Sequence, residues 1–232
     1  MSALDRRSFI AMCGALAVGG VSACSATTTS TTPQGTGVVS RPPGTTTVLP
    51  AGPITSVAIV GDSLTEASTT AIVTTLNSSG IPKVEIQAKK GRRIEVGNGL
   101  GDAPLSGLRT IQAMLAAGAK PDAWVIELGT NDVGSYAKPE QYQALIDKVL
   151  ALLPGVPIVW LNVYRAEYID LSNVFNTVLE QRMNARPHSL VAGWFAMANS
   201  PKQRVLRADG VHPSDKGVHV LALLILQALQ RL

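Results

Sequence analysis

From residue 54 onward, short apolar runs alternate with longer amphipathic stretches, and this alternation limits the possible folds more than any other feature of the chain. Short apolar runs are typical of buried strands, and apolar residues spaced three or four apart are typical of helices that pack one face. Such alternation favours parallel strands in one sheet with helices on both sides. The sequence therefore predicts an α/β fold, a three-layer α/β/α sandwich around a parallel sheet of about five strands.

The predicted elements fill the chain from residue 54 to its last residue without an internal repeat. The predicted strands cover residues 54–60, 83–88, 123–128, 157–163 and 190–197, the last being the weakest. The predicted helices cover residues 67–77, 105–117, 141–153, 171–186 and 218–232. A chain of this length is sufficient for one hydrophobic core. We therefore predict a single domain over residues 54–232.

Residues 1–24 have the pattern of an export signal. Arg6 and Arg7 precede an apolar stretch, as in the twin-arginine signals of bacteria. The segment ends in Val-Ser-Ala-Cys, which resembles a lipobox, and this predicts lipidation of Cys24. Two other interpretations stay open, an ordinary signal peptide cut near Ala23 and a retained anchor. We expect an exported protein that is held at the cell membrane only through a lipid anchor and faces the cell envelope, or that is secreted.

Residues 25–53 consist mostly of Thr, Ser, Pro and Gly. Such a stretch has too few large side chains to offset the entropy lost on ordering. We predict a disordered tether between the export signal and the folded domain.

Composition excludes two classes of function. The chain has 20 Lys and Arg against 16 Asp and Glu, without the dense basic cluster of a nucleic-acid-binding protein. Cys13 and Cys24 are its only cysteines, so the predicted domain has no disulfide and no thiolate metal ligand. The oligomeric state is not determined by these features.

Four short polar motifs lie after predicted strands or before the last predicted helix. They are residues 61–64 (GDSL), 89–92 (KKGR), 129–132 (GTND) and 209–213 (DGVHP). The first three follow strands, and the carboxyl ends of parallel strands meet at one edge of a sheet. We therefore expect a serine, a glycine, an asparagine and an aspartate–histidine pair to lie together at this edge.

In this order, the four motifs resemble those of the SGNH or GDSL hydrolase family, over most of the predicted domain. The resemblance implies a flavodoxin-like sheet, hydrolysis or transfer of an acyl ester, and no metal or organic cofactor. It implies Ser63 as the nucleophile, His212 as the base that takes the serine proton, and Asp209 as the group that orients the imidazole. Transfer of this kind also needs donors for the oxyanion. By resemblance these are the backbone amides of Ser63 and Gly91 and the side-chain amide of Asn131.

Each of these residue types also has a structural interpretation. Ser63 would cap the helix that follows it, and Asp62 would stabilise the turn or the helix start. Asp132 would be a structural turn residue. The two other histidines, His188 and His219, lie outside the motifs and are predicted to be surface or packing residues.

Two groups of side chains keep more than one interpretation. The basic residues around Gly91 would either contact an anionic substrate or form a solvated loop; they are Lys89, Lys90, Arg92 and Arg93. Trp160 and Tyr164 near the end of the fourth predicted strand would either border a pocket or lie in the core and at the surface.

The leading hypothesis is an exported serine esterase that removes acyl groups, acetyl groups among them, from esters of cell-envelope carbohydrate or lipid. The ester is either a small molecule or a polymer. The alternative is an O-acyltransferase that acts on cell-wall polymers with the same residues. A third, from another class, is a catalytically inactive lipoprotein that binds the envelope. Neither the acyl chain length nor the acceptor follows from the sequence.

Overall fold

The computed structural model describes residues 52–232, and the structural statements below concern that part of the chain. The predicted export signal at 1–24, including Cys24, and nearly all of the predicted tether at 25–53 lie outside the described residues. Among the described helices, none combines the length and the apolar character that crossing a membrane requires.

The centre of the domain is a five-stranded sheet in which every neighbouring pair is parallel, with the order β2-β1-β3-β4-β5. The strands are β1 (Ser56–Gly61), β2 (Lys83–Ala88), β3 (Ala123–Glu127), β4 (Ile158–Leu161) and β5 (Ser189–Ala192). β1 and β3 are adjacent and buried along nearly their whole length, which explains why they read as continuous apolar runs. The predicted α/β/α sandwich is confirmed.

Within residues 52–232, six helices follow or connect the strands. They are α1 (Ser63–Ser78), α2 (Gly107–Ala116), α3 (Pro139–Leu152), α4 (Ile169–Asn184), α5 (Trp194–Ala198) and α6 (Asp215–Leu229), with a single 3₁₀ turn at Ala166–Tyr168 before α4.

The helices form one layer on each face of the sheet. Side chains of alternate strand residues, such as Val60 and Ile126, pack with α2, α3 and α4. The residues between them, such as Ile59 and Val125, pack with α1, α5 and α6. This alternation is the period-two pattern of a sheet covered on both faces.

Two predicted elements differ from the structure. The predicted strand 190–197 ends at Ala192, and the apolar residues after Gly193 form α5, in which Trp194 is 1% exposed. A short apolar run fits a strand and a buried helical turn equally well, so the pattern alone does not separate them. The predicted helix 67–77 begins earlier, at Ser63, directly after β1.

The strand order places a crevice at the carboxyl ends of β1 and β3. The chain leaves β1 towards β2 on one side and reaches β3 on the other side, so the loops after these strands diverge. In open parallel sheets such a switch point is the usual place for a ligand. Ser63, Gly91 and Asn131 follow β1, β2 and β3 and therefore lie at this edge.

Candidate active site

The turn between β1 and α1 positions Ser63 as the first residue of the helix. The helix is capped by Asp62, whose Oδ1 accepts a hydrogen bond from the Leu64 amide at 2.9 Å. The alternative interpretation of Ser63 as the cap is therefore wrong, because its neighbour has that role. The Ser63 hydroxyl remains free for another partner.

Gly61 allows this abrupt change from strand to helix. A Cβ atom at residue 61 would lie 2.1 Å from Oγ1 of Thr65, in the first turn of α1. Any side chain at this position would push the helix away from the end of the strand. The glycine of the first motif thus has a packing reason.

Ser63, His212 and Asp209 form a hydrogen-bonded row. His212 Nε2 lies 3.0 Å from Ser63 Oγ, and His212 Nδ1 lies 2.9 Å from Asp209 Oδ2. A carboxylate can only accept, so the Nδ1 hydrogen points to Asp209 and Nε2 accepts from the serine hydroxyl. This is the arrangement in which an imidazole can take a proton from a serine.

The loop before α6 holds Asp209 by local contacts. Asp209 Oδ1 accepts from the backbone amides of Val211 and His212, each at 2.9 Å. Although desolvation raises the pKa of Asp209, these amides and the His212 imidazole outweigh it and lower the pKa to about 2. The carboxyl is therefore ionised at neutral pH and orients the imidazole.

Two backbone amides next to this row have no acceptor within residues 52–232, those of Ser63 and Gly91. Gly91 has a φ of +73°, a conformation that favours glycine, and a Cβ built there would meet no atom within 4 Å. Glycine is therefore favoured here for its backbone conformation and not because a side chain would lack space.

Asn131 lies behind the row, with its side-chain amide bound on both sides. Nδ2 donates to Asp62 Oδ2 at 2.9 Å and to the carbonyl oxygen of Arg92 at 3.1 Å. Because an amide nitrogen has two hydrogens, both are engaged in the free protein. A third acceptor at Nδ2 has to share one of these bonds, and the longer one, to Arg92, is the weaker.

Glu127 is a site residue that the sequence analysis missed. Its Oε2 accepts from the amides of Asp62 and Thr65, each at 3.2 Å, and from the Thr65 hydroxyl at 2.9 Å. The residue is 3% exposed and ties the end of β3 to the turn that carries Ser63. The only sequence signal is a single acidic residue inside an apolar strand.

Asp62 and Glu127 form a buried carboxyl pair. Burial raises the pKa of Asp62 well above its usual range, and the adjacent Glu127 carboxylate raises it further. Burial also raises the pKa of Glu127, against the hydrogen bonds it accepts from Asp62 and Thr65. Two adjacent buried carboxyls cannot both ionise at low cost, so the ionised form of Asp62 is disfavoured in the folded protein.

The basic loop divides into structural and exposed residues. The Arg92 guanidinium is buried and donates to the carbonyls of Gly61 and Leu105, each at 3.0 Å, and to that of Gln87. Arg92 is therefore not part of a solvated loop, because it is 5% exposed and three backbone carbonyls accept from its Nε and Nη1.

The next arginine is fixed by Asp132, which has the structural role expected from its turn sequence. Asp132 Oδ1 lies 3.3 Å from Arg93 Nε, and its Oδ2 accepts from the Ile94 amide at 3.0 Å. These bonds join the loop after β2 to the loop after β3.

The structure brings neither of the other histidines into the row. His188 and His219 are exposed, as predicted.

Trp160 is fully buried and its Nε1 donates to the Leu128 carbonyl at 3.0 Å, so it belongs to the core. Tyr164 is 8% exposed and packs edge-on against Phe195, away from solvent.

A cleft of about 300 Å³ opens beside the row. Its lining is polar and charged except for one alanine, and consists of Ser63, Glu66, Ala67, Lys90, Arg207 and His212. The reactive atoms thus face a small open space that holds a short group.

Solved structures share this fold. The C-terminal catalytic domain of peptidoglycan O-acetyltransferase A (OatA) from Streptococcus pneumoniae is 20% identical with a TM-score of 0.61, over 78% of this chain and 95% of that one. A lipase/acylhydrolase from Enterococcus faecalis is 18% identical with a TM-score of 0.61, over 76% of this chain and 96% of that one. The psychrotrophic esterase EstA from Pseudoalteromonas sp. is 17% identical with a TM-score of 0.55, over 76% and 97%. At these identities the likeness concerns the fold.

Comparison with curated protein sequences gives no significant match. In contrast, the family model of the GDSL-like lipase/acylhydrolase family matches residues 59–220, more than half of the 232-residue chain. The match includes the four motifs, and it confirms the resemblance and the expected class of enzyme, a GDSL-type serine ester hydrolase. The chain therefore belongs to the GDSL-like lipase/acylhydrolase family.

Proposed function

We propose that this protein is a serine esterase in which Ser63, His212 and Asp209 act as a catalytic triad on short acyl esters. The observation that carries the proposal is the continuous row from Ser63 Oγ through the imidazole to Asp209, with separations of 3.0 and 2.9 Å. The row opens onto the cleft, so an ester carbonyl can reach the serine oxygen.

The reaction runs in two steps. Ser63 Oγ attacks the ester carbonyl while its proton passes to His212 Nε2; the tetrahedral intermediate then expels the alcohol, which takes that proton. Water next attacks the acyl-serine, gives a proton to His212 Nε2, and the acid leaves as Ser63 recovers its hydrogen. Asp209 stabilises the imidazolium formed in each step.

The oxyanion that forms in each step needs preorganised donors. The amides of Ser63 and Gly91 are free within the described residues and require no rearrangement. Asn131 is the third donor in this proposal, and it contributes by sharing the hydrogen that now bonds to the Arg92 carbonyl.

The cleft supports a short acyl group as substrate. Long acyl chains need an apolar wall, whereas Ala67 is the only apolar residue in the lining. Hydrolysis is favoured over acyl transfer because the side chains of His212 and Asp209 are 32% and 47% exposed, which leaves water free access.

The test is hydrolysis of p-nitrophenyl acetate, butyrate and octanoate by the full-length protein and its Ser63→Ala variant. We expect the acetate to be the best substrate and the variant to lose at least about 10⁴-fold in kcat. A sugar acceptor added in parallel separates the alternatives: transferred product at the expense of free acid would indicate an O-acyltransferase. Equal rates for the two proteins would indicate either a strict acyltransferase that needs its own donor or an inactive envelope-binding protein.

We also propose that the protein is exported and lipidated at Cys24, on the sequence pattern alone. The envelope esters that such a protein meets include those of carbohydrates and lipids. Labelling with a palmitate analogue tests this: Cys24→Ala should lose the label and move from the membrane fraction to the soluble one. An unchanged distribution would contradict lipid anchoring.

A further inference from the structure

The structure separates the four basic residues around Gly91 by what they contact. Arg92 is buried among backbone carbonyls, and Arg93 is paired with Asp132. Lys89 and Lys90 are both exposed, but only Lys90 lines the cleft beside Ser63. One of the four therefore faces the candidate substrate site.

A second cation, Arg207, lines the same cleft and was not singled out by the sequence. Its amide donates to the His212 carbonyl at 2.8 Å, and its Nε donates to the Pro213 carbonyl at 3.0 Å. The backbone bond places Arg207 next to the segment that carries the imidazole, and the Nε bond holds the guanidinium there. Its two Nη groups have no partner within residues 52–232. The fixed position lowers the entropy lost when the guanidinium binds a ligand.

Neither cation is neutralised by a carboxylate of residues 52–232, since the ion pairs there involve other residues. Two carboxylates lie nearby, and both have other partners. Glu66 Oε2 accepts from the Lys90 backbone amide at 2.8 Å, and Asp209 accepts from amides and from the imidazole. The charged ends of Lys90 and Arg207 therefore remain available beside the nucleophile.

The position of Arg207 indicates which part of a substrate it meets. His212 Nε2 delivers its proton to the oxygen of the leaving alcohol, so the alcohol lies on the imidazole side of the cleft. Arg207 is bonded to the backbone of His212 and Pro213 and therefore lies on that side too. Its guanidinium matches a carboxylate or phosphate in a two-point contact, and Lys90 adds a point charge.

On the basis of the proposed esterase function, we propose that the alcohol part of the substrate carries an anionic group, a carboxylate or a phosphate, which Lys90 and Arg207 bind. Because both cations are solvent-exposed, salt screens the interaction. We expect a preference of about tenfold, which corresponds to roughly 1.4 kcal/mol.

The test compares acetates that differ in the charge of the alcohol. The full-length protein is assayed with 4-acetoxybenzoate and 4-acetoxyphenyl phosphate, which are anionic, and with 4-acetoxybenzamide, which is neutral. Each kcat/KM is divided by the rate of the same ester with hydroxide. We expect the anionic esters to be favoured about tenfold at low salt and the preference to shrink about threefold or more in high salt. The two anionic arms distinguish carboxylate from phosphate.

Variants assign the preference to residues. Arg207→Gln and Lys90→Gln should each lower the ratio of anionic to neutral rates by about threefold or more, chiefly through KM, and Arg207→Lys should retain part of it. Lys89→Gln is the matched control, because it removes the same charge from the same loop outside the cleft. An equal fall in Lys89→Gln would show a net-charge effect and overturn the proposal, as would a wild-type ratio near one.

The inference and the esterase proposal fail in different ways. Hydrolysis of 4-acetoxybenzamide that depends on Ser63, without preference for the anionic esters, overturns the inference and leaves the esterase intact. Absence of hydrolysis for all three esters overturns the esterase. Binding to Ser63→Ala then still tests the inference: 4-hydroxybenzoate should bind more tightly than 4-hydroxybenzamide, and Arg207→Gln in that background should remove the difference. Equal binding would overturn it.

Discussion

The two halves of the candidate active site differ in their exposure to water. In the row with Ser63, the side chains of His212 and Asp209 are 32% and 47% exposed. In the cluster behind it, Asp62 and Glu127 are 0% and 3% exposed, and Arg92 is 5% exposed. The side chains proposed to react are exposed to solvent, whereas the side chains that fix the turns around them are buried.

This difference separates activity from stability. An exposed side chain that is removed leaves few unsatisfied partners, because water replaces it. Removing one member of the buried cluster leaves donors or acceptors without water and destabilises the fold. Substitutions in the row should therefore abolish turnover in a folded protein, and substitutions in the cluster should change turnover, stability or both.

The largest effect is expected from His212→Ala. Loss of the proposed base should lower kcat/KM for p-nitrophenyl acetate by at least about 10⁴-fold, while the melting temperature changes little because the ring is partly exposed. His219→Ala, an exposed histidine on α6, is the matched control and should keep full activity. Retention of more than a few per cent of the rate by His212→Ala would mean that the row is not the reaction centre.

The next largest effect is expected at Asn131, whose side chain donates a hydrogen bond to Asp62 of the buried cluster. Asn131→Ala should lower kcat about 10²–10³-fold with a smaller change in KM, as for loss of an oxyanion donor. Asp62→Asn keeps a good helix cap but changes the acceptor for Nδ2, and we expect a fall in kcat of about tenfold.

A double-mutant cycle decides whether Asp62 acts through Asn131. In the Asn131→Ala background, Asp62→Asn should lower kcat little further, because the amide that it positions is gone. Fully additive losses would contradict this positioning role.

The pH dependence of stability tests a further buried carboxyl next to the site, that of Asp132. Burial raises the pKa of Asp132 to about 6, so the folded protein binds this proton more tightly than the unfolded chain does. The stabilisation is complete below about pH 4 and is lost as the pH rises through about 6. Relative to Asp132→Asn, the wild type should therefore lose about 2 kcal/mol of unfolding free energy between pH 4 and 7, measured by urea unfolding.

Asp122 provides a control of opposite sign. Hydrogen bonds from Thr55 and Ser56 lower the pKa of Asp122 against the effect of burial, so its stabilisation is present above its usual pKa and is lost in acid. Relative to Asp122→Asn, the wild type should gain stability as the pH rises. The same pH trend for both pairs of proteins would contradict the assignment of the Asp132 effect.

The smallest effect is expected from Trp160→Phe, a substitution of a fully buried side chain on β4. The indole donates to the Leu128 carbonyl, next to Glu127, and phenylalanine leaves that carbonyl without its partner. We expect a loss of about 1–2 kcal/mol in unfolding free energy and no change in kcat. A large fall in kcat at unchanged stability would contradict this separation.

The sequence predicts the sheet and the motif residues because both depend on local patterns. The apolar runs of β1 and β3 are visible without a structure, and the motif residues lie where those strands end. Residues 194–197 were wrongly predicted as strand, because only packing of Trp194 against the core decides between a strand and a helical turn.

The buried half could not be predicted in the same way. Glu127 is one charge in an apolar strand, and its partners at Asp62 and Thr65 lie more than 60 positions away along the chain. In the sequence, Arg92 does not differ from its basic neighbours. Only the folded structure shows that the carbonyls of Gly61 and Leu105 accept hydrogen bonds from its guanidinium. Such roles arise from long-range contacts, which one sequence does not encode as a local pattern.

The short loop that carries both Asp209 and His212 limits how the geometry of the row can change. Asp209 accepts hydrogen bonds from both the backbone amide and the ring of His212, so we expect the two residues to move together. The distance between Ser63 Oγ and His212 Nε2 is then the part of the row that changes most easily. A ligand or substitution that displaces residues 205–214 should therefore lengthen the distance from Ser63 Oγ to His212 Nε2 while the bonds between His212 and Asp209 persist.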